Sequence, residues 1–349
     1  MKSMYMAVLA AAAFCAAVGY GPSPALAADR LNVVTTTTDL KFIAEAVGGD
    51  HVKVTSIASG AEDPHFVSAK PSFMMIARVA DLWIAIGMEL EIGWEGLILE
   101  GSRNPKIRSI DSKGYLDVSQ GVLRLEVPTQ RVTREMGDVH PLGNPHYWLD
   151  PLNVRIMAKT IADRLAQLDP AHSEDFKGNL KAFQRTLDEH MFGKPLVEEV
   201  GGDKLWLREF KGELQGFLEE QHLTAKLGGW AAKMLPFRGE KILTYHRSWI
   251  YFTNRFGLAV ADEMEPKPGI PPSPGHVLQL IEKVKADHVR VLLMEPFYER
   301  KAPGLIAEKT GLKVLVCANS VGGDEAAKDY FSMIGNVVDK LAAALKPAS

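Results

Sequence analysis

Cysteine is nearly absent from this chain. Of the two in 349 residues, Cys15 falls in an N-terminal apolar run and Cys317 in residues 313–318, a stretch that reads as a buried strand. If the N-terminal run is removed, no intramolecular disulfide can form, and stability must come from core burial, which this length permits. A lone buried thiol of this kind acts as a small hydrophobe. An excess of charge of one sign is missing too. The 40 Lys and Arg against 43 Asp and Glu leave a net charge of −3 with both signs interspersed, so no nucleic-acid surface is indicated. Neither HExxH nor paired-cysteine metal motifs occur. No histidine lies between residues 101 and 138.

What is present begins with an address. Lys2, an apolar run over 6–18 and the small residues Ala25-Leu26-Ala27 make an export signal, with cleavage expected after Ala27. The run is short for a bilayer span, and Cys15 lacks the small-residue setting of a lipoprotein site. A soluble protein exported to the periplasm is expected. Beyond it, β-branched strands at 31–38, 52–57 and 82–86, with 107–111 as a fourth, alternate with helices at 39–47 and 71–80. Residues 153–191 then carry two amphipathic helices with no strand between them, a connector. Alternation resumes with strands at 241–246, 258–260, 289–294 and 313–318 and helices at 249–256, 276–286, 301–309 and 329–345. The chain therefore reads as α/β, two lobes each built on a parallel sheet flanked by helices. The expected division is a signal peptide over 1–27, a first lobe over 28–150, connecting helices over 151–192 and a second lobe over 193–346. The second lobe contains a glycine-punctuated insertion at about 193–225, a small subdomain or a flap.

The stretch from Asp138 to Pro151 has neither helical nor strand periodicity. Its prolines fix φ and push their predecessors to extended backbone, so it is a shaped loop, and Asp150-Pro151 then caps and opens a helix. His65, His146 and His246 share one setting, a loop just past a strand or at the mouth of a helix. Ligands of open α/β sheets bind beyond the carboxyl ends of strands. Two of these histidines come from the first half and one from the second, so a site between the halves would gather all three. Imidazole suits zinc and other divalent transition metals.

The phrases Asp63-Pro64-His65, Asn144-Pro145-His146-Tyr147-Trp148-Leu149-Asp150-Pro151 and Thr244-Tyr245-His246 resemble those of the zinc- and manganese-specific solute-binding proteins of bacterial ABC transporters. The resemblance covers essentially the whole mature chain. It implies two lobes joined by one long rigid helix, a metal cleft between them, and His65, His146 and His246 as ligands. It also implies delivery of the metal to a membrane permease by a protein expected to be monomeric. A histidine at the third position, where manganese-preferring relatives often have a carboxylate, tilts the reading from manganese to zinc. Relatives commonly place an aspartate ligand where this chain has Asn319, in Asn319-Ser320-Val321-Gly322. The fourth position is therefore open to water, Asn319, or a carboxylate such as Glu295 or Asp324. The histidine-rich acidic loop of many zinc relatives is missing.

His140 is expected to serve loop structure, with a partner behind a ligand or an alternative ligand as its other readings; Glu62 and Asp63 are expected to tune the loop at His65, and Arg247 to point away into an ion pair. The proline-rich stretch 265–274 is either a docking surface or a rigid connection. Two rival functions share the site: a secreted zinc hydrolase, with Glu295 as its nameable base, and an adhesin or metallochaperone of the same fold. Because only neutral imidazole ligates, histidine ligation predicts affinity that falls below about pH 6.

Overall fold

The computed structural model describes residues 30–346; the expected signal peptide and its cleavage site lie outside them. Two four-stranded sheets form, both wholly parallel. In the first, β1 (Leu31–Thr35), β2 (Val52–Ser56), β3 (Leu82–Ala85) and β4 (Tyr115–Asp117) run in the order β2-β1-β3-β4. In the second, β5 (Lys241–Thr244), β6 (Ala259–Glu263), β7 (Val291–Met294) and β8 (Lys313–Val316) repeat that order as β6-β5-β7-β8. In each sheet the chain steps to one side of its first strand and then to the other. That reversal opens a crevice at the carboxyl ends of the strands.

The fourth strand is not where the apolar run 107–111 suggested. Gly114 N–H donates to the Lys106 carbonyl, so the chain turns back on itself, and it joins the sheet only from Tyr115. A Cβ on Gly114 would stand 2.5 Å from the Lys106 carbonyl oxygen and 2.7 Å from that of Asp81, so only glycine fits the return. Ile107, fully buried, produced its apolar signal from inside a turn.

Asp150 caps the helix Pro151–Leu168 by accepting from Leu152 N–H at 2.9 Å, with proline in the first turn as the sequence indicated. The following helix, Ser173–Phe192, has 20 residues, or about 30 Å of rise. It packs on the helix Thr38–Gly48 of the first half and on Gly229–Met234 of the second. Its Phe183 ring sits 6.2 Å from that of Phe42 and 5.8 Å from that of Phe331 in the closing helix Tyr330–Leu345. One apolar core runs through both halves and these helices, while a smaller cluster covers the outer face of each sheet. Cys317 lies in the shared core, its thiol pushed up to about 12 by burial.

Residues 194–220 fold as three short helices, Lys194–Val200, Gly202–Phe210 and Leu214–Glu220. Leu205, Trp206 and Leu218 bury into the common core, which rules out a flap. Among the described residues no helix is long and apolar enough to cross a membrane.

Candidate metal centre

Two of the three histidines are set by the same local device. In Asp63-Pro64-His65, proline fixes the turn and the Asp63 carboxylate accepts from both His65 N–H (3.0 Å) and His65 Nδ1 (2.7 Å). In Asn144-Pro145-His146, the Asn144 Oδ1 accepts from His146 N–H at 3.0 Å and from His146 Nδ1 at 2.9 Å. Asn144 is itself held, its amide donating to Glu126 and to the Arg247 carbonyl, both at 3.0 Å. His246, just past β5, places Nδ1 2.7 Å from Glu265, which also accepts from Gly269 N–H. Each ring thus spends its Nδ1 proton on a fixed acceptor, which fixes the tautomer and leaves Nε2 as a lone-pair donor.

The three rings converge. Ligand atoms of His65, His146 and His246 all lie within 4.8 Å of one another. Ring centroids are 5.0 Å apart for His65–His146, 5.7 Å for His65–His246 and 5.3 Å for His146–His246. His146 and His246 are buried, and the His65 side chain is 8% exposed. Burial, with His65 and His246 close by, holds the His146 imidazole well below its usual range. Burial also opposes charge on His246, but the hydrogen bond and charge of Glu265 outweigh it and raise that imidazole. Burial would raise Asp63, yet its contact with His65 keeps the carboxyl below the usual range.

The other singled-out residues separate clearly. Arg247 has its charge engaged by Glu126 at 3.6 Å and Glu263 at 3.4 Å, as expected. Asn319 is buried, its carbonyl accepting from Trp148 Nε1 at 2.7 Å. Glu295 is fully buried, bonded to the Ser248 hydroxyl, and pushed up to about 7 by burial. Glu295 does not join the three-ring group, whereas the bond from Trp148 engages only the Asn319 backbone and the Asn319 side-chain oxygen is buried without a hydrogen-bond partner. Asp324 folds back on its own loop, accepting from Ala318, Ala326 and Ala327 N–H. His140, expected to serve the loop with a partner's or a ligand's role as the alternative, sits at the site with Nε2 3.3 Å from His65 Nε2. Sequence reasoning missed Glu265, hidden in the proline-rich stretch, and Asn144, though the repeated Asx-Pro-His phrase was there to be seen. That stretch contributes Glu265 to His246 and Pro271 and Pro272 to the wall of the cavity beside His65 and His246. The histidines away from the site make ordinary contacts: His51 stacks on His172, and His190 lies between Trp230 and Phe331.

Comparison with known proteins follows this geometry. The chain is 25% identical over 345 residues to the manganese ABC transporter substrate-binding lipoprotein PsaA of Streptococcus anginosus, covering 98% of this chain and 96% of that one. It is 24% identical over 325 residues to the iron ABC transporter substrate-binding lipoprotein MtsA of Streptococcus pyogenes serotype M1, covering 91% and 89%. A crystal structure of ZnuA shares the fold at a TM-score of 0.68 with 24% identity, over 90% of this chain and 99% of that one. The family model for zinc-uptake complex component A, periplasmic, matches residues 33–191 and 221–344, on either side of the three short helices. The chain therefore belongs to the ZnuA family, the substrate-binding proteins of metal ABC transporters.

Proposed function

We propose that His65, His146 and His246 bind one divalent cation, zinc in preference to manganese, for delivery to a membrane permease. The observation carrying this is the convergence of three lone-pair nitrogens from the two lobes, each ring locked from behind by Asp63, Asn144 or Glu265. An all-nitrogen donor set suits zinc, whereas manganese favours oxygen ligands. The two carboxylates behind the rings offset the charge of the cation without occupying its coordination positions. On this reading the chain works outside the cytoplasmic membrane, as a single copy, and the ion is cargo. A hydrolytic role lacks support because Glu295, the base it would need, is fully buried and bonded to Ser248.

The test is metal analysis of the chelator-stripped protein, titrated with zinc and with manganese. One zinc per chain is expected, held more tightly than manganese, and His146→Ala should lose stoichiometric zinc. Undiminished zinc binding by that variant would refute the site.

A further inference from the structure

Three imidazoles leave a tetrahedral cation one ligand short. Glu295 stands outside the three-ring group and is bonded to Ser248. His140 is placed differently, lining the same cavity as His146 and His246, with its Nε2 3.3 Å from His65 Nε2. The Nδ1 proton of His65 is committed to Asp63, so its Nε2 carries a lone pair directed at the His140 ring. With its own proton on Nδ1, His140 would turn a second lone pair toward the same point, the position a cation would take. At zinc–nitrogen distances of about 2.0–2.1 Å, neighbouring ligand atoms of a tetrahedron are roughly 3.3–3.4 Å apart, and the His65–His140 pair already has that spacing.

The backbone beneath His140 carries a second sign. Gly87, Met88 and Glu89, directly after β3, all have positive φ, at 76°, 54° and 68°. For the two residues that are not glycine such a conformation is strained and persists only where the surroundings enforce it. Here the Met88 methyl lies under Gly143 of the His140 loop.

Building on the three-histidine reading, we propose that His140 is the fourth protein ligand, giving a site of four imidazoles. His140 stands outside the group whose ligand atoms lie within 4.8 Å of one another, so binding draws its ring toward His146 and His246 while the His65 spacing is kept. Gly137 and Gly143, at φ 78° and 106°, bracket the segment that moves.

Cobalt(II), a spectroscopic substitute for zinc, and zinc itself are titrated into the metal-stripped full chain. Wild type, His140→Ala, His140→Gln, Glu295→Gln and His146→Ala are compared. His140→Ala and His140→Gln should keep one site per chain but lose at least the roughly 10–100-fold in zinc affinity that removal of an outer hydrogen-bond partner costs. Their cobalt ligand-field bands should shift, and X-ray absorption of the zinc forms should count three imidazoles where wild type has four. Unchanged affinity and spectra in both His140 variants would overturn the proposal while leaving the three-histidine site intact. The same follows if Glu295→Gln alone weakens zinc. Failure of the underlying reading looks different: His146→Ala would then bind as wild type does.

Discussion

Asn144 does for His146 what Asp63 does for His65, with one charge fewer. The difference suits their places, since His146 is the more deeply buried ring and an uncompensated carboxylate there would be costly. Asn144 also ties the loop to the second lobe through the Arg247 carbonyl. Asn144→Ala would free the His146 ring to rotate and remove the acceptor that fixes its tautomer. Zinc affinity should fall by about 10–100-fold with stoichiometry retained, as measured by chelator competition. An unchanged affinity would show that packing against Trp148, whose ring lies 5.2 Å away, orients the imidazole by itself. At this scale the sequence was informative wherever the local phrase does the positioning. His65 and His146 were legible because proline and an Asx side chain act within two residues of them. Glu265 was not, because it reaches His246 across 19 positions and nothing local marks it.

Elements were legible where period and caps agree. β-branched β1 and β2, the proline-opened helix Pro151–Leu168 and the capping box of Asp329 and Ser332 on the closing helix all fall where residue spacing puts them. The edge strand β4 was misplaced because a buried side chain in a turn and one in a strand look alike over five residues. What separates them is Gly114, wedged between two carbonyl oxygens. Those contacts are backbone atoms that cannot swing aside, so Gly114→Ala should destabilise the protein by about 1–3 kcal/mol as an overpacking change. Thermal unfolding of the variant measures it, and a melting temperature equal to wild type would mean that the 106–114 turn relaxes freely. The short helices over 194–220 were unreadable for another reason. Four glycines among charged residues signal breaks, and only the tertiary burial of Leu205 and Trp206 shows that the pieces between them are helices.

Across the whole molecule the lobes are fastened directly to one another. Arg255 forks onto Asp150 with two bonds of 2.8 Å, and Tyr251 donates to the Asn144 carbonyl at 2.7 Å. Trp148 donates to Asn319 O, and Tyr330 to Trp148 O at 2.9 Å. A further fastening is sensitive to pH. Asp39, on the first helix and fully buried, accepts from Val321 N–H of the second lobe at 3.1 Å. Burial pushes its carboxyl up to about 7 from 3.8, against the pull of the Val321 and Ser320 bonds. The folded chain therefore keeps this proton while the unfolded chain has released it. The stabilising contribution of Asp39 is complete below about pH 4 and is lost progressively as pH rises toward 7. Asp39→Asn keeps the acceptor for Val321 and removes the ionisation. Whatever its effect at pH 4, the stability of the variant relative to wild type should rise steadily between pH 4 and 7 and level off above. Denaturant unfolding of the metal-free proteins at several pH values reads this directly. A difference that stayed constant across that range would mean that Asp39 ionises in the folded chain as readily as in the unfolded one, and that water reaches the seam between the lobes.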